Sequence, residues 1–233
     1  MITRTIEERI NIALAKKKAV TIMGPRQVGK STLAYSIIPK DAKVLEINGD
    51  KTDVQTMFVN VDEAKMKILI GNNNFLFVDE AQKIENVGNM LKIVAEKFKD
   101  VKIIVTGSSA FKLAEAVNES LTGRKREFKL YPLSFKEMAD DTSVLEESRI
   151  IDHRLIYGYY PEVVTSPGDE KEVLKELIDS YLYKDVMEEN NIAKPDKLVK
   201  LVQALAFQIG STVSATELAG LVGIDAKTVE RYI

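Results

Sequence analysis

The 233-residue chain has no cysteine, which removes disulfides, thiolate metal sites and cysteine nucleophiles together. Histidine is almost missing: His153 stands alone, so no histidine cluster can hold zinc, and it reads as a surface or capping residue. An excess of one charge is lacking too. Lys and Arg number 33 against 35 Asp and Glu, a formal net charge of −2 with a sequence pI near 5.7. No bulk positive field therefore advertises a nucleic acid or a membrane, and any such contact would be local. Nor is there a long apolar run. The opening MITRTIEERINIALAKKK mixes charged and apolar residues at helical spacing, unlike a secretory signal or a spanning helix. The expectation is a soluble, cytoplasmic chain with no membrane partner.

What is present is enough apolar residue, 45% of the chain, for one sizeable domain with an appendage or for two modest ones. Short apolar runs alternate with amphipathic stretches through the first two thirds, the pattern of βαβ units around a buried parallel sheet. The strand candidates are residues 19–24, 43–49, 74–80, 102–107 and 126–134. Between the third and fourth, Val87, Met90, Leu91, Ile93, Val94 and Phe98 fall largely along one helical face. After Ser134 the strand signal fades. Residues 169–190 and 196–210 are helical in period, with a boundary expected around Pro195.

At the end of the first strand candidate, Gly24, Gly29, Lys30 and Ser31 fit G-x-x-x-x-G-K-[ST], with the helical stretch KSTLAYSII following. Glycines let successive N–H groups turn inward into a concave anion nest, and the positive end of the next helix adds to it. The loop Gly24, Pro25, Arg26, Gln27, Val28, Gly29, Lys30, Ser31 and Thr32 is thus expected to hold a nucleoside triphosphate. Lys30 would reach the β- and γ-phosphates and Ser31 would serve Mg²⁺, while Thr32 is directed at the α-phosphate or packed. A second apolar strand ends in Asp79-Glu80, which resembles a Walker B element. Side chains alternate along a strand, so Asp79 is expected at the metal and Glu80 at the attacking water. A third polar strand end supplies Thr106, Ser108 and Ser109. Thr106 is expected near both Lys30 and Glu80 if its strand lies between the first and third, and Ser109 is expected to cap the next helix.

The segments GPRQVGKST, FLFVDEAQKI, IIVTGSSA and SLTGRKREFKLYPLSFKEM resemble the prokaryotic AAA-type P-loop ATPases that couple such a domain to a C-terminal domain of unknown function. The resemblance implies an α/β P-loop NTPase fold with a five-stranded, mostly parallel sheet of order 5-1-4-3-2. It implies ATP and Mg²⁺ as ligands, and hydrolysis to ADP and phosphate that drives a conformational change, slow without a partner. Carried onto this chain, Lys30 binds phosphate, Ser31 and Asp79 serve the metal, Glu80 is the catalytic carboxylate and Thr106 the sensor. Arg124, in LTGR, is the candidate for stabilising transition-state charge or reporting on nucleotide, in its own subunit or a neighbour's. Arg26 touches nucleotide or a neighbouring subunit, so a homo-oligomer stays open. The family tends to carry Gly-Gly-Tyr-Pro before its helical region, and here Tyr159 takes the second glycine's place.

The expected division is residues 1–140 as the ATPase domain, 141–195 as a helical lid and 196–233 as the start of a helix-turn-helix. In the last, Ala219, Gly223 and Val229 have the offsets of the small inward residue, the turn glycine and the buried apolar residue. Lys227 and Arg231 are offset by Glu217, Asp225 and Glu230, so charge does not support DNA and favours a protein client or regulatory role. The chain ends at Ile233 inside the expected recognition helix, implying a truncated domain whose last helices pack poorly. Four readings remain open: a working ATPase, a non-hydrolysing ATP/ADP switch, a DNA-binding regulator, and a small-molecule kinase.

Overall fold

The computed structural model describes residues 1–108, 121–179 and 195–233. The expected cap at Ser109 and the 180–190 part of the expected long helix lie outside the described residues. The chain divides into two compact units, Met1–Glu170 and Lys171–Ile233.

The first unit is built on five parallel strands: β1 (Ala19–Met23), β2 (Val44–Asn48), β3 (Phe75–Asp79), β4 (Lys102–Gly107) and β5 (Lys125–Lys129). Their order is β2-β3-β4-β1-β5, the expected one read from the other edge. Period-two alternation sorts the core onto two faces. Val20, Ile22, Phe75, Phe77 and Ile104 face a cluster with Ile10, Leu14, Leu33 and Ile37, supplied by α1 (Glu7–Ala15) and α2 (Lys30–Ile37). Leu76, Val78, Ile103 and Val105 face the other side, against Met66, Met90, Leu91 and Val94 from α4 (Glu63–Ile70) and α5 (Val87–Lys97). A single turn, α3 (Thr52–Gln55), follows β2.

Central strands buried on both faces read as unbroken apolar runs, whereas the edge strand β5, KREFK, buries only Phe128. Its charges suit an edge that must not recruit another strand. β5 stops at Lys129, short of the expected 134, because Pro132 cannot donate to a ladder and Ser134 already caps the next helix. After the sheet come α6 (Phe135–Asp141), α7 (Val144–Arg149), α8 (Ile151–Tyr157) and α9 (Pro161–Thr165). Ser134 and Glu137 form a reciprocal capping box at the start of α6.

Helix α10 (Glu170–Leu177) runs into the second unit, which contains α11 (Pro195–Ala206), α12 (Ala215–Val222) and α13 (Ala226–Tyr232). Leu201, Leu218, Ala219, Val222 and Val229 close a small core, so these helices pack better than their position at the chain end led one to expect. Gly223 ends α12 in the left-handed region, and Lys197 Nζ donates to the Val222 carbonyl beside it, 2.8 Å away. Helix α11 stops at Ala206 rather than running to 210, and Phe207 and Ile209 beyond it are almost fully exposed. Among the described residues no helix is long and apolar enough to cross a membrane.

Candidate functional site

Because all five strands run the same way, β1, β3 and β4 deliver Gly24, Asp79-Glu80 and Thr106–Ser108 to one end of the sheet. The two glycines of the loop between β1 and α2 do different work. A Cβ on Gly24 would lie 2.1 Å from the Leu130 carbonyl oxygen, so this glycine lets the β5 exit press against the loop. Leu130 N also donates to the Met23 carbonyl at 2.7 Å. Gly29 instead supplies a φ of 90°, and Gln27 two residues earlier has a φ of 60°. Left-handed residues alternating with Val28 make the curved backbone of an anion nest, opening onto the first turn of α2. Lys30 is 5% exposed, and its Nζ donates to the carbonyls of Gly24 at 3.0 Å and Pro25 at 2.8 Å.

Ser31 Oγ donates to the Asp79 carboxylate, 3.0 and 2.9 Å from its two oxygens. Thr106, fully buried, donates its hydroxyl to the same carboxylate. Thr106 is therefore held on Asp79, and it is Ser108 that contacts Glu80, at 3.4 Å. Glu80 also accepts from Gln82 Nε2 at 2.6 Å. Its backbone sits at φ 48°, ψ 46°, a left-handed conformation that costs a non-glycine residue energy. This turn, rather than strand alternation, separates the two carboxylates. Gly49 fits beneath it: its N–H donates to the Asp79 carbonyl at 2.9 Å, and a Cβ there would meet the Glu80 carbonyl at 2.3 Å.

Two cavities meet at the loop. One of about 580 Å³ is bordered by Arg26, Gln27, Lys30, Ser31 and Glu80, with the Asp50–Lys83 ion pair at its rim. The other, about 550 Å³, is largely apolar, with Val28, Leu33, Leu133, Met138 and Val164 among its walls. Gly29, Thr32, Pro161 and Thr165 border both. The helices after the sheet thus contribute walls to the site. Tyr159 lies just before this segment, and its carbonyl accepts from Leu133 N at 2.8 Å. Burial and the neighbouring Glu147 carboxylate push the Tyr159 hydroxyl up to about 12.

Arg124 is not brought to this site. It precedes β5 at the opposite end of the sheet, where its guanidinium pairs with Glu96 at 2.6 Å and its carbonyl accepts from Ala19 N. Stabilising a transferring phosphoryl group within its own subunit is therefore not open to it in this arrangement. Arg26 lies at the phosphate-side cavity and Thr32 between the two.

Several residues at the site were not anticipated: Arg4, Gly49, Gln82 and Glu137. Of these, Gln82 stands in the FLFVDEAQKI segment that carries the resemblance, and Glu137 has the Ser134-x-x-Glu137 spacing of a capping box. Gln82 Oε1 is buried without a partner among the described residues, while its amide nitrogen holds Glu80 and Ser108.

A glycine loop leading into a helix, an acidic tip two strands away and a β2-β3-β4-β1-β5 parallel sheet define a P-loop ATPase. A family model described as an AAA domain matches residues 16–139, and one described as a domain of unknown function matches residues 148–233. The chain belongs to the AAA-domain family, as an AAA-type P-loop ATPase with a C-terminal domain of unknown function. A Walker-type ATPase of Pyrococcus abyssi shares the fold, with a TM-score of 0.60 and 16% identity over 96% of this chain and 88% of that one. An uncharacterized protein of Methanocaldococcus jannaschii is 27% identical over 94% of this chain and 53% of its own length. An uncharacterized protein of Haemophilus influenzae is 29% identical over 62% of this chain and 37% of its own. The chain spans about half the length, or less, of the curated relatives it matches.

Proposed function

We propose that the protein binds ATP with Mg²⁺ and hydrolyses it to ADP and phosphate. The observation that carries this reading is the contact of Ser31 with Asp79 beside the nest and Lys30, which places two hard oxygen donors where a phosphate chain would end. The donor set fits Mg²⁺. Among the described residues no group of three or more acidic, histidine or cysteine side chains forms a cage, and Mg²⁺ on a nucleotide needs only one or two protein oxygens. Ser31 and Asp79 would hold the ion, whose charge would offset that of the phosphate oxygens.

The other roles fall to the chain's own groups. The nest amides and Lys30 bind the phosphates, Lys30 exchanging its loop carbonyls for them. Glu80, freed from Gln82 and Ser108, orients the attacking water and takes its proton. Thr106 holds Asp79 in place and senses nucleotide state through it. The apolar cavity beyond Gly29 and Thr32 suits a nucleoside, with Leu33, Leu133 and Met138 against the base. Residues 1–140 act as the motor and 141–195 as a lid; Pro161 and Thr165, which border both cavities, support a lid role for α9. Residues 196–233, with α12 and α13 joined by a three-residue turn, read as the start of a helix-turn-helix that responds to the lid in a cytoplasmic protein.

A second reading, an ATP- or ADP-dependent switch that does not turn over, is favoured by one observation: the Glu80 carboxylate is engaged by Gln82 and Ser108. A single-turnover assay with Glu80→Gln separates the two. If ATP binds and both proteins cleave it equally fast, the catalytic role of Glu80 is wrong. If wild type binds ATP and cleaves none, the switch stands. Thermal stability titrated with ATP and GTP, with and without Mg²⁺, tests the site itself.

A further inference from the structure

A heavily bonded charged side chain near the phosphate loop lies outside it, in the segment before α1. Arg4 is 8% exposed. Its Nη1 donates to the Val28 carbonyl at 2.9 Å, and its Nη2 to the Tyr131 carbonyl at 2.6 Å and, more weakly, the Pro132 carbonyl at 3.5 Å. Its Nε donates to Glu137 Oε1 at 3.2 Å. Glu137 is buried as well, at 5% exposure, and each of its oxygens is satisfied from a different element. Oε1 also takes the Thr5 amide at 2.8 Å and hydroxyl at 3.1 Å, and Oε2 takes the Ser134 amide at 2.9 Å and hydroxyl at 3.1 Å.

We propose that Arg4, anchored by Glu137, is a positioning residue that locks the Val28–Gly29 peptide plane and so pre-forms the nest for a polyphosphate chain. This rests on the nucleotide-binding reading. Residues on either side of Val28 have positive φ, and the peptide after Val28 leads into a glycine, whose φ is the least hindered by sterics. For N–H groups to turn inward toward an anion, the intervening carbonyls must turn outward, and a buried carbonyl there requires a donor. Arg4 is that donor for Val28. The planar guanidinium can meet Val28, Tyr131 and Glu137 at once because its donors form a fixed fork, which an ammonium cannot reproduce. The clamp joins the α2 end of the loop to the β5 exit, whose Leu130 already presses on Gly24 at the other end. Both ends of the nest are thereby tied to residues 130–137.

The test uses the full chain with Arg4→Gln, Arg4→Lys and the double variant Arg4→Gln/Glu137→Gln, which leaves no buried carboxylate without its cation. Two readouts are needed: affinity for inorganic tripolyphosphate, ATP and adenosine, and amide hydrogen exchange of residues 24–31 without ligand. For Arg4→Gln, tripolyphosphate affinity should fall about tenfold or more, and adenosine, whose proposed cavity Arg4 also borders, should lose clearly less. Loop amides should gain about tenfold more in exchange rate than those of β3 and β4, which follow global stability alone. Arg4→Lys, which keeps the charge but not the fork, should recover only part of either effect. If Arg4→Gln does not fold, the double variant carries the same expectations.

Unchanged loop exchange in a folded variant overturns the clamp, and so does acceleration spread evenly over the sheet, which would mark plain loss of stability. A loss of adenosine affinity as large as that of tripolyphosphate overturns its specificity for phosphate. If the wild type binds neither tripolyphosphate nor ATP, the nucleotide-binding reading falls, and the exchange measurement alone decides whether Arg4 holds the loop.

Discussion

The two ends of one sheet use similar residues to opposite effect. At the end where the strands finish, Arg4 and Glu137 are buried, and Ser31, Asp79 and Thr106 join into one network spanning three elements. Where the strands begin, Lys17 pairs with Asp100, Arg124 with Glu96, and Lys18 with the Gly123 carbonyl, all at the surface. Exposed pairs of this kind contribute little, because water and salt screen them and two long side chains must be ordered to make them. Buried ones are costly to break, since the surviving charge has no water to turn to. Arginine composition is therefore uninformative until strand direction assigns each arginine to an end.

Substitutions at the two ends should diverge sharply. Glu80→Gln should keep ATP affinity and slow single-turnover hydrolysis by about a hundredfold to ten-thousandfold, the range for loss of a general base. Equal rates would show that the left-handed turn at Glu80 serves packing alone. Lys30→Ala should weaken MgATP by about a hundredfold and abolish the ligand-induced rise in melting temperature, which at saturation of a hundred times Kd corresponds to about 2.7 kcal/mol.

Glu137→Gln should cost about 3 kcal/mol, read by urea denaturation, because Arg4 keeps its charge without a buried counter-ion and the amide NH2 cannot accept the bonds that one carboxylate oxygen takes. It should also alter the acid limb of stability. Burial alone would raise this carboxyl, but hydrogen bonds from the Thr5 and Ser134 amides and the Arg4 charge hold it below its usual value. Its stabilisation is thus complete above the unfolded value of about 4.3 and is lost as pH falls through the lower folded one. The variant's stability should fall less steeply across that window. Arg124→Ala should do least, changing nucleotide affinity by less than about twofold and melting temperature by about a degree. A large loss of hydrolysis that depends on protein concentration would instead place Arg124 at a neighbouring subunit's site and erase the contrast between the ends.

Much of this was readable along the chain. Apolar runs located the five strands to within a residue or two except at the end of β5, because burial on both faces leaves the same local pattern wherever a parallel sheet occurs. The glycine spacing located the loop, because a nest is completed within a few residues; Ser134-x-x-Glu137 is a mark of the same local kind, passed over for a strand running to 134. Local pattern did not show the partners that distant segments supply. Gly24 is required by the Leu130 carbonyl, which only β5 pairing brings near, and Thr106 was drawn to Asp79 while Ser108 took Glu80.

By itself the sequence determined the sheet, the loop and its lysine, since period, spacing and strand-end chemistry are properties of neighbouring residues. Only the tertiary structure decided that Arg4, which carries no motif, reaches the loop while Arg124, which carries one, does not. The physical reason is that a side chain's partners are set by which strands pair and in which direction. Contacts such as Arg4 to Glu137, 133 residues apart, leave no trace in the pattern around either residue.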